Sequence, residues 1–248
     1  MKKGMLIRVA VDSSYGGWNA PVNPVNGDFV FIPIPENEKY NFKENQNIPY
    51  NTFSKALKDF SSRNNLNDGS EIALPDSLLN INTHLDPDFS YLTYGDNGMR
   101  RGKKLKHEFE SGDFIVFYSG LKPIQHFKSP LFYAIIGFYQ IDKVIEAKDV
   151  NDKDSIINAH TRRKNLEPSD VVIIANPKNS GRLENSILIG EFRDKAYRIK
   201  NELLESWGGL SVKDGYLQRS AVPPRFNDPQ KFLEWFEKQN VNLIKRNN

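Results

Sequence analysis

Apolar residues run along this chain in short alternating or unbroken stretches, and seldom with a helical period. Residues 5–11 (MLIRVAV) alternate weakly and are rich in β-branched side chains, which predicts an opening strand. The turn formers of 12–17 (DSSYGG) end it. Residues 29–34 (FVFIPI) predict a second short strand, closed by Pro33 and Pro35. Phe53, Ala56, Leu57 and Phe60 repeat at i, i+3, i+4 and i+7, so one helix of about three turns carries a single apolar face. Residues 82–88 (NTHLDPD) contain Pro87 and predict a loop or an edge. Residues 95–106 (GDNGMRRGKKLK) mix glycines with basic residues and predict a flexible loop.

The strongest apolar signal lies between Gly112 and Val144. Residues 114–118 (FIVFY) predict one strand and 133–144 its hairpin-like neighbour, bent at Gly137. The unbroken run 171–175 (VVIIA) predicts a buried strand, and 186–192 and 196–199 predict two more. Residues 202–207 predict a helical turn closed by Gly208 and Gly209. Asp228 followed by Pro229 is a helix start. Phe232, Leu233, Trp235 and Phe236 then give the apolar face of a C-terminal helix over 228–246, with Lys245 and Arg246 complementing the dipole of its last turn. Many short strands with few helices predict one α+β domain over residues 1–248, built on a strongly bent or closed sheet.

Composition narrows the chemistry. At 248 residues with 38% hydrophobic content the chain can bury a sizeable core without staples. It has no cysteine, which excludes a cysteine nucleophile, an iron–sulfur cluster and a thiolate zinc site. Residues 6–11 are too short for a signal-peptide core and are broken by Arg8, and no run approaches the roughly 20 apolar residues of a membrane span. A cytoplasmic location and no membrane partner are the expectation. The net charge of +3 is mild. Two basic runs stand out, Arg100, Arg101, Lys103, Lys104 and Lys106, and then Arg162, Arg163 and Lys164. Each reads as a solvated loop or as a phosphate contact. His107 and His126 have no supporting pattern and read as surface residues.

Five places can carry chemistry or contact a ligand. Asp12, Ser13 and Ser14 follow a strand and precede Gly16 and Gly17, where a carboxylate and hydroxyls can bind a phosphate, a sugar or a base edge, or simply close a turn. His84, Asp86 and Asp88 are spaced i, i+2 and i+4, so an extended segment puts them on one face. An imidazole with carboxylates is a ligand set for a divalent metal, an acid–base pair, or the polar side of a loop. His160, beside Asn158 and before Arg162 and Arg163, can hydrogen-bond a base or phosphate, or face solvent. Asn176, Ser180 and Arg182 (in ANPKNSGR) form a polar loop open to a ligand, and Arg219 and Arg225 flank Pro223 and Pro224 where phosphates can be contacted. No phosphate-loop or dinucleotide fingerprint is present, and the pattern assigns neither a cofactor nor a metal.

Residues 112–121 (GDFIVFYSGL) followed by 133–145 (YAIIGFYQIDKVI) resemble the core of PUA-like folds, including the ASCH, EVE and YTH groups. There a Gly-Asp turn precedes a strand and a later strand carries a glycine. A wider set of landmarks is similar to the nucleotide modification associated domain 3 family: RVAVDSSYG at 8–16, PIP at 33–35, HLDPD at 84–88, the Gly112-Asp113 strand, the strand from Gly137, and NAH at 158–160. The family opening usually reads Arg-Lys-Gly-Phe-Asp, and here it is Arg8-Val9-Ala10-Val11-Asp12. A role of that lysine is therefore not carried over, whereas Arg8, Asp12, Ser13 and Ser14 are in place.

The resemblance implies a bent mixed sheet or PUA-like β-barrel with flanking helices, working in DNA base modification. Such a module recognises a modified or extruded base between aromatic faces. Tyr118, at the end of its strand, is the first candidate platform, with Tyr15, Trp18 and Trp207 beside it; Arg8, Ser13, Ser14, Asn176, Ser180, Arg182 and Arg219 are candidate contacts to nucleic acid. Its partners are then DNA and other base-modification proteins. The alternative is an enzyme acting on a nucleotide or modified base, with Asp12, His84, Asp86 and His160 as acid–base groups.

Overall fold

The structure, a computed structural model, describes residues 2–66, 72–97, 102–125, 130–150, 157–167, 169–218 and 222–248. In chain order the elements are β1 (Gly4–Arg8), β2 (Pro21–Val22), β3 (Ile34–Pro35), α1 (Ser54–Arg63), α2 (Asp76–Leu79), β4 (Thr83–His84), β5 (Thr93–Asp96), α3 (Lys103–Glu108), β6 (Phe114–Pro123), β7 (Phe132–Glu146), β8 (Val171–Ala175), β9 (Gly181–Leu188), β10 (Gly190–Arg193), β11 (Ala196–Ile199), α4 (Asn201–Ser206), α5 (Pro229–Lys238) and β12 (Leu243–Ile244). Among the described residues no helix is long and apolar enough to cross a membrane.

The hairpin β6–β7 is the spine of an eight-stranded mixed sheet. β1 runs parallel to β6, with Gly4 opposite Phe114 and Arg8 opposite Tyr118. β7 is long enough to serve two partners: β9 along Ala134–Phe138 and β8 along Ile141–Glu146. Register shifts between Ile135 and Gly137 and between Ile141 and Lys143 let it turn from one to the other. Gly137 is required at the bend, because a Cβ there would lie 2.4 Å from the Phe89 ring. β5 then pairs with β8, β12 with β9, and β2 with β6. Two further ladders, β3–β4 and β10–β11, stand apart. The sheet branches at β7, and the described strands form no closed barrel.

Both faces of the sheet are covered, which is why 114–118 reads as an unbroken apolar run. Ile115 and Phe117 point into one core with Phe31, Phe89, Tyr139 and the Leu57–Phe60 side of α1. Phe114, Val116 and Tyr118 point into the other, with Trp207, Phe226 and the Phe232 and Phe236 face of α5. Stacked rings at Phe114–Phe232 (5.5 Å) and Phe138–Phe236 (4.7 Å) lock α5 onto the sheet. Asp228 caps α5 by accepting from the Lys231 N–H at 3.1 Å, as the Asp-Pro pair predicts.

Several local expectations change. Phe29, Val30, Phe31 and Ile32 are buried but form no regular strand; β3 is confined to Ile34–Pro35. Pro33 and Pro35 have no N–H for a ladder, and the Phe31 backbone instead bonds the Asn248 side chain at 2.8 and 2.9 Å. The glycine-rich basic stretch contributes Gly95 and Asp96 to β5 and Lys103 to Lys106 to α3, while Arg100 and Arg101 lie outside the described residues. The C-terminal helix stops at Lys238 rather than 246. Asn240 takes a left-handed φ of 49°, and the chain returns as β12 against β9, so Lys245 and Arg246 cap no helix. The strand expected over 186–192 divides at Ile189 into β9 and β10.

Candidate functional site

Where β1 ends and the chain turns at residues 12–17, a cavity of about 480 Å³ opens. Arg8, Asp12 and Tyr15 reach it from β1 and the following turn, Glu36 and Tyr40 from beyond β3, His84 from β4 and Asp86 from just after it, and His160 and Arg163 from the loop before β8. Two short ladders place its polar floor. In β3–β4, Ile34 pairs with His84, so Glu36, two residues on, reaches the His84 ring. In β5–β8, Asp96 pairs with Val171, which sets Asp170 just ahead of the pairing, beside the 157–163 loop. Asn158 docks that loop by donating from Nδ2 to Asp86 Oδ1 at 2.9 Å, while its own Oδ1 accepts from the His160 N–H at 3.0 Å.

Both histidines are oriented the same way. His84 Nδ1 lies 3.0 Å from Glu36 Oε2, and His160 Nδ1 lies 2.8 Å from Asp170 Oδ2. A carboxylate acceptor favours the proton on Nδ1, which in a neutral ring leaves Nε2 with its lone pair. The rings meet edge to face at 5.1 Å, and His84 Nε2 faces Asp86 Oδ2 at 3.9 Å. Gly95 makes room for this packing: a Cβ there would lie 2.3 Å from His160 Cδ2. Arg163 holds the two carboxylate anchors together, at 2.9 Å from Glu36 Oε1 and 3.4 Å from Asp170 Oδ2, with its guanidinium 3.6 Å from the centre of the Tyr40 ring.

Burial sets the protonation of this floor. It pushes Asp86 up to about 7, against the opposing pull of His84, the Gly95 N–H and the Asn158 side chain. Burial also lowers His160, outweighing its hydrogen bond to Asp170, so the ring is neutral at pH 7. Glu36 goes the other way: burial opposes its charge, but His84 and Arg163 win and hold it at about 2. A carboxyl that titrates near neutrality beside the neutral His160 ring can give or take a proton.

All four acid–base candidates, Asp12, His84, Asp86 and His160, therefore line one cavity. Asp12 does so in a mainly structural manner. Its Oδ1 accepts from the Ser14 and Tyr15 N–H groups at 2.6 and 2.8 Å, and its Oδ2 pairs with Arg8 at 2.8 Å. Arg8 and Tyr15 line the cavity too, with Tyr15 exposed at its rim. Asp88 leaves the expected set: it bonds Thr93 across a turn and its Oδ2 pairs with Arg162 at 2.6 Å.

The other candidate contacts lie elsewhere. Tyr118 is fully buried in the core with Trp207 and α5, its hydroxyl donating to the Leu217 carbonyl at 2.8 Å, so it is no platform for a base. Trp207 is likewise buried, and Trp18 is partly buried against the core that holds Phe31 and Phe89. Ser13 and Ser14 are exposed on their turn without facing the cavity. Asn176 closes a turn by accepting from the Lys178 N–H, Ser180 accepts from the Gln140 N–H at 3.0 Å, and buried Arg182 stacks on Phe29 at 4.9 Å. Arg225 pairs with Glu108. Arg219 and His126 lie outside the described residues, and His107 is exposed. Arg162 and Arg163 are buried, not solvated, because Asp88, Glu36 and Asp170 neutralise them. Glu36, Tyr40 and Asp170 have no sequence signal of their own; proximity of Glu36 to the PIP segment is the one clue.

No curated protein and no solved structure matches the chain. A family model does, over residues 3–214. That span contains the whole cavity, from Arg8 to Arg163, along with the β6–β7 spine, and a match of this extent makes the chain a member of the nucleotide modification associated domain 3 family.

Proposed function

We propose that the protein is an enzyme of DNA modification that accepts one nucleotide or modified base in the cavity beside β1. The observation that carries this reading is the convergence of His84, Asp86 and His160, with both rings held by carboxylates, on a cavity of about 480 Å³. Small-molecule sites of about 300–1,000 Å³ are usual, and a base with its sugar falls at the lower end. In this reading Asp86 and the free Nε2 atoms move protons at the base, Arg8 meets a phosphate at the rim, and Tyr15 stacks on the entering ring. Family membership supports a role linked to nucleic-acid modification. The test is incubation with deoxynucleotides and with oligonucleotides carrying modified bases, with products read by mass spectrometry. Product that disappears in His84→Ala and His160→Ala, with the fold intact by circular dichroism, supports the reading. Undiminished turnover in both variants overturns it.

The second reading is a PUA-like module that recognises an extruded base without chemistry. Exposed Tyr15, which lines the cavity, favours it and takes the part first given to Tyr118. It predicts tight binding and no product, with affinity lost in Tyr15→Ala and kept in His160→Ala.

A further inference from the structure

We propose that His84, Asp86 and His160 form a binding centre for a first-row divalent transition metal, with Glu36 and Asp170 orienting the two imidazoles. The proposal deepens the active-site reading and rests on it for the metal's use, though not for its binding.

Three observations lead to it. One ligand atom from each of the three residues lies within 4.8 Å of the others. Metal–donor bonds of about 2.0–2.2 Å bring donors to roughly 3–3.5 Å apart. The cluster therefore needs to contract by an ångström or so, which a swing of each ring about its carboxylate anchor supplies. Next, each imidazole gives its Nδ1–H to a carboxylate, the arrangement that orients a ligating histidine and raises the basicity of Nε2. Finally, the charge is unbalanced. Glu36 and Asp170, two buried carboxylates, share the single guanidinium of Arg163. Asp170 is 0% exposed, and its Oδ1 has no hydrogen-bond partner among the described residues. A divalent cation beside His160 closes that balance.

Two nitrogens and one carboxylate select zinc, iron or manganese over magnesium or calcium, which favour all-oxygen shells. Three protein ligands leave coordination positions open toward the cavity, where water or a substrate atom can bind.

The experiment uses untagged full-length protein freed of metal with a chelator. Co²⁺ is followed by visible absorption, and Zn²⁺ by calorimetry. The expected result is one equivalent of either ion, not displaced by excess Mg²⁺, with affinity at least 100-fold lower in His84→Ala and His160→Ala. Asp170→Asn should keep the stoichiometry and lose about 10–100-fold in affinity, as expected for an outer-shell partner. If the alanine variants unfold, nitrogen NMR of the wild-type histidines decides instead: Zn²⁺ should shift the Nε2 resonances of His84 and His160 and leave those of His107 and His126. Binding below one equivalent, or unchanged His84 and His160 resonances, overturns the proposal. Nucleotide turnover is measured separately. Turnover without metal removes the metal's use in the reaction alone, and metal binding without any nucleotide turnover or binding removes the function reading alone.

Discussion

Replacing Arg163 with Met removes a group that holds both histidine anchors. Its guanidinium lies 2.9 Å from Glu36 and 3.4 Å from Asp170, and all three residues are buried. Met keeps the aliphatic length over Tyr40 but leaves two carboxylates without their counter-charge. Charge-assisted hydrogen bonds are worth about 1.5–3 kcal/mol each, and removing one partner of a buried pair costs about 3–5 kcal/mol. The predicted loss is therefore about 3–5 kcal/mol, a large part of the roughly 5–15 kcal/mol that stabilises a domain. Urea unfolding followed by tryptophan fluorescence reads it directly. The pH dependence follows from Glu36, which sits at about 2 in the fold against an ordinary value of 4.5. A depressed carboxyl stabilises the fold above its unfolded value and loses that contribution as pH falls through the folded one. The gap between wild type and variant should be widest above pH 4.5 and narrow on acidification toward pH 2. Adding Glu36→Gln to the variant should recover part of the loss. A loss under about 1 kcal/mol at pH 7 would refute the reasoning, because it would mean that water, not Arg163, solvates the two carboxylates.

Asp86 behaves oppositely, since burial raises it from 3.8 to about 7. Its ionisation destabilises the fold progressively as pH rises from 3.8 through 7, so metal-free Asp86→Asn should gain stability over wild type at pH 8 but not at pH 4, by chemical denaturation. Tyr118→Phe should cost about 1 kcal/mol, through the lost bond to Leu217, and leave binding of modified oligonucleotides unchanged; weakened binding in a filter assay would return Tyr118 to the site. Ala10 takes a left-handed φ of 72° at the position where the family usually has glycine. Ala10→Gly should therefore raise the unfolding free energy by about 0.5–1 kcal/mol, the left-handed penalty less the entropy of glycine, and a decrease would count against backbone strain there.

Much of the scaffold was legible in the residues themselves. The β6–β7 hairpin, the bend at Gly137, helix α1 and the start of α5 all follow from local patterns: alternation, an i, i+4 face, an Asp-Pro cap. Those signals are legible because they act over a few residues, where side-chain direction follows backbone period. Part of the site was legible for the same reason. The two-residue spacing of His84 and Asp86 put both on one side of an extended segment, and both line the cavity.

The rest was decided by tertiary structure. Asp88 shares that spacing, yet the turn to Thr93 carries it to Arg162. Tyr118 ends a strand as expected, but whether such a residue faces a pocket or a core depends on what covers that face, and here α5 and Trp207 do. Arg162 and Arg163 resemble a solvated basic run until Glu36, Asp88 and Asp170 are brought to them. His160 joins His84 across 76 positions because β5 pairs with β8 and Asn158 reaches Asp86. Local periodicity says which side of an element a residue occupies; long-range strand pairing alone says what lies opposite.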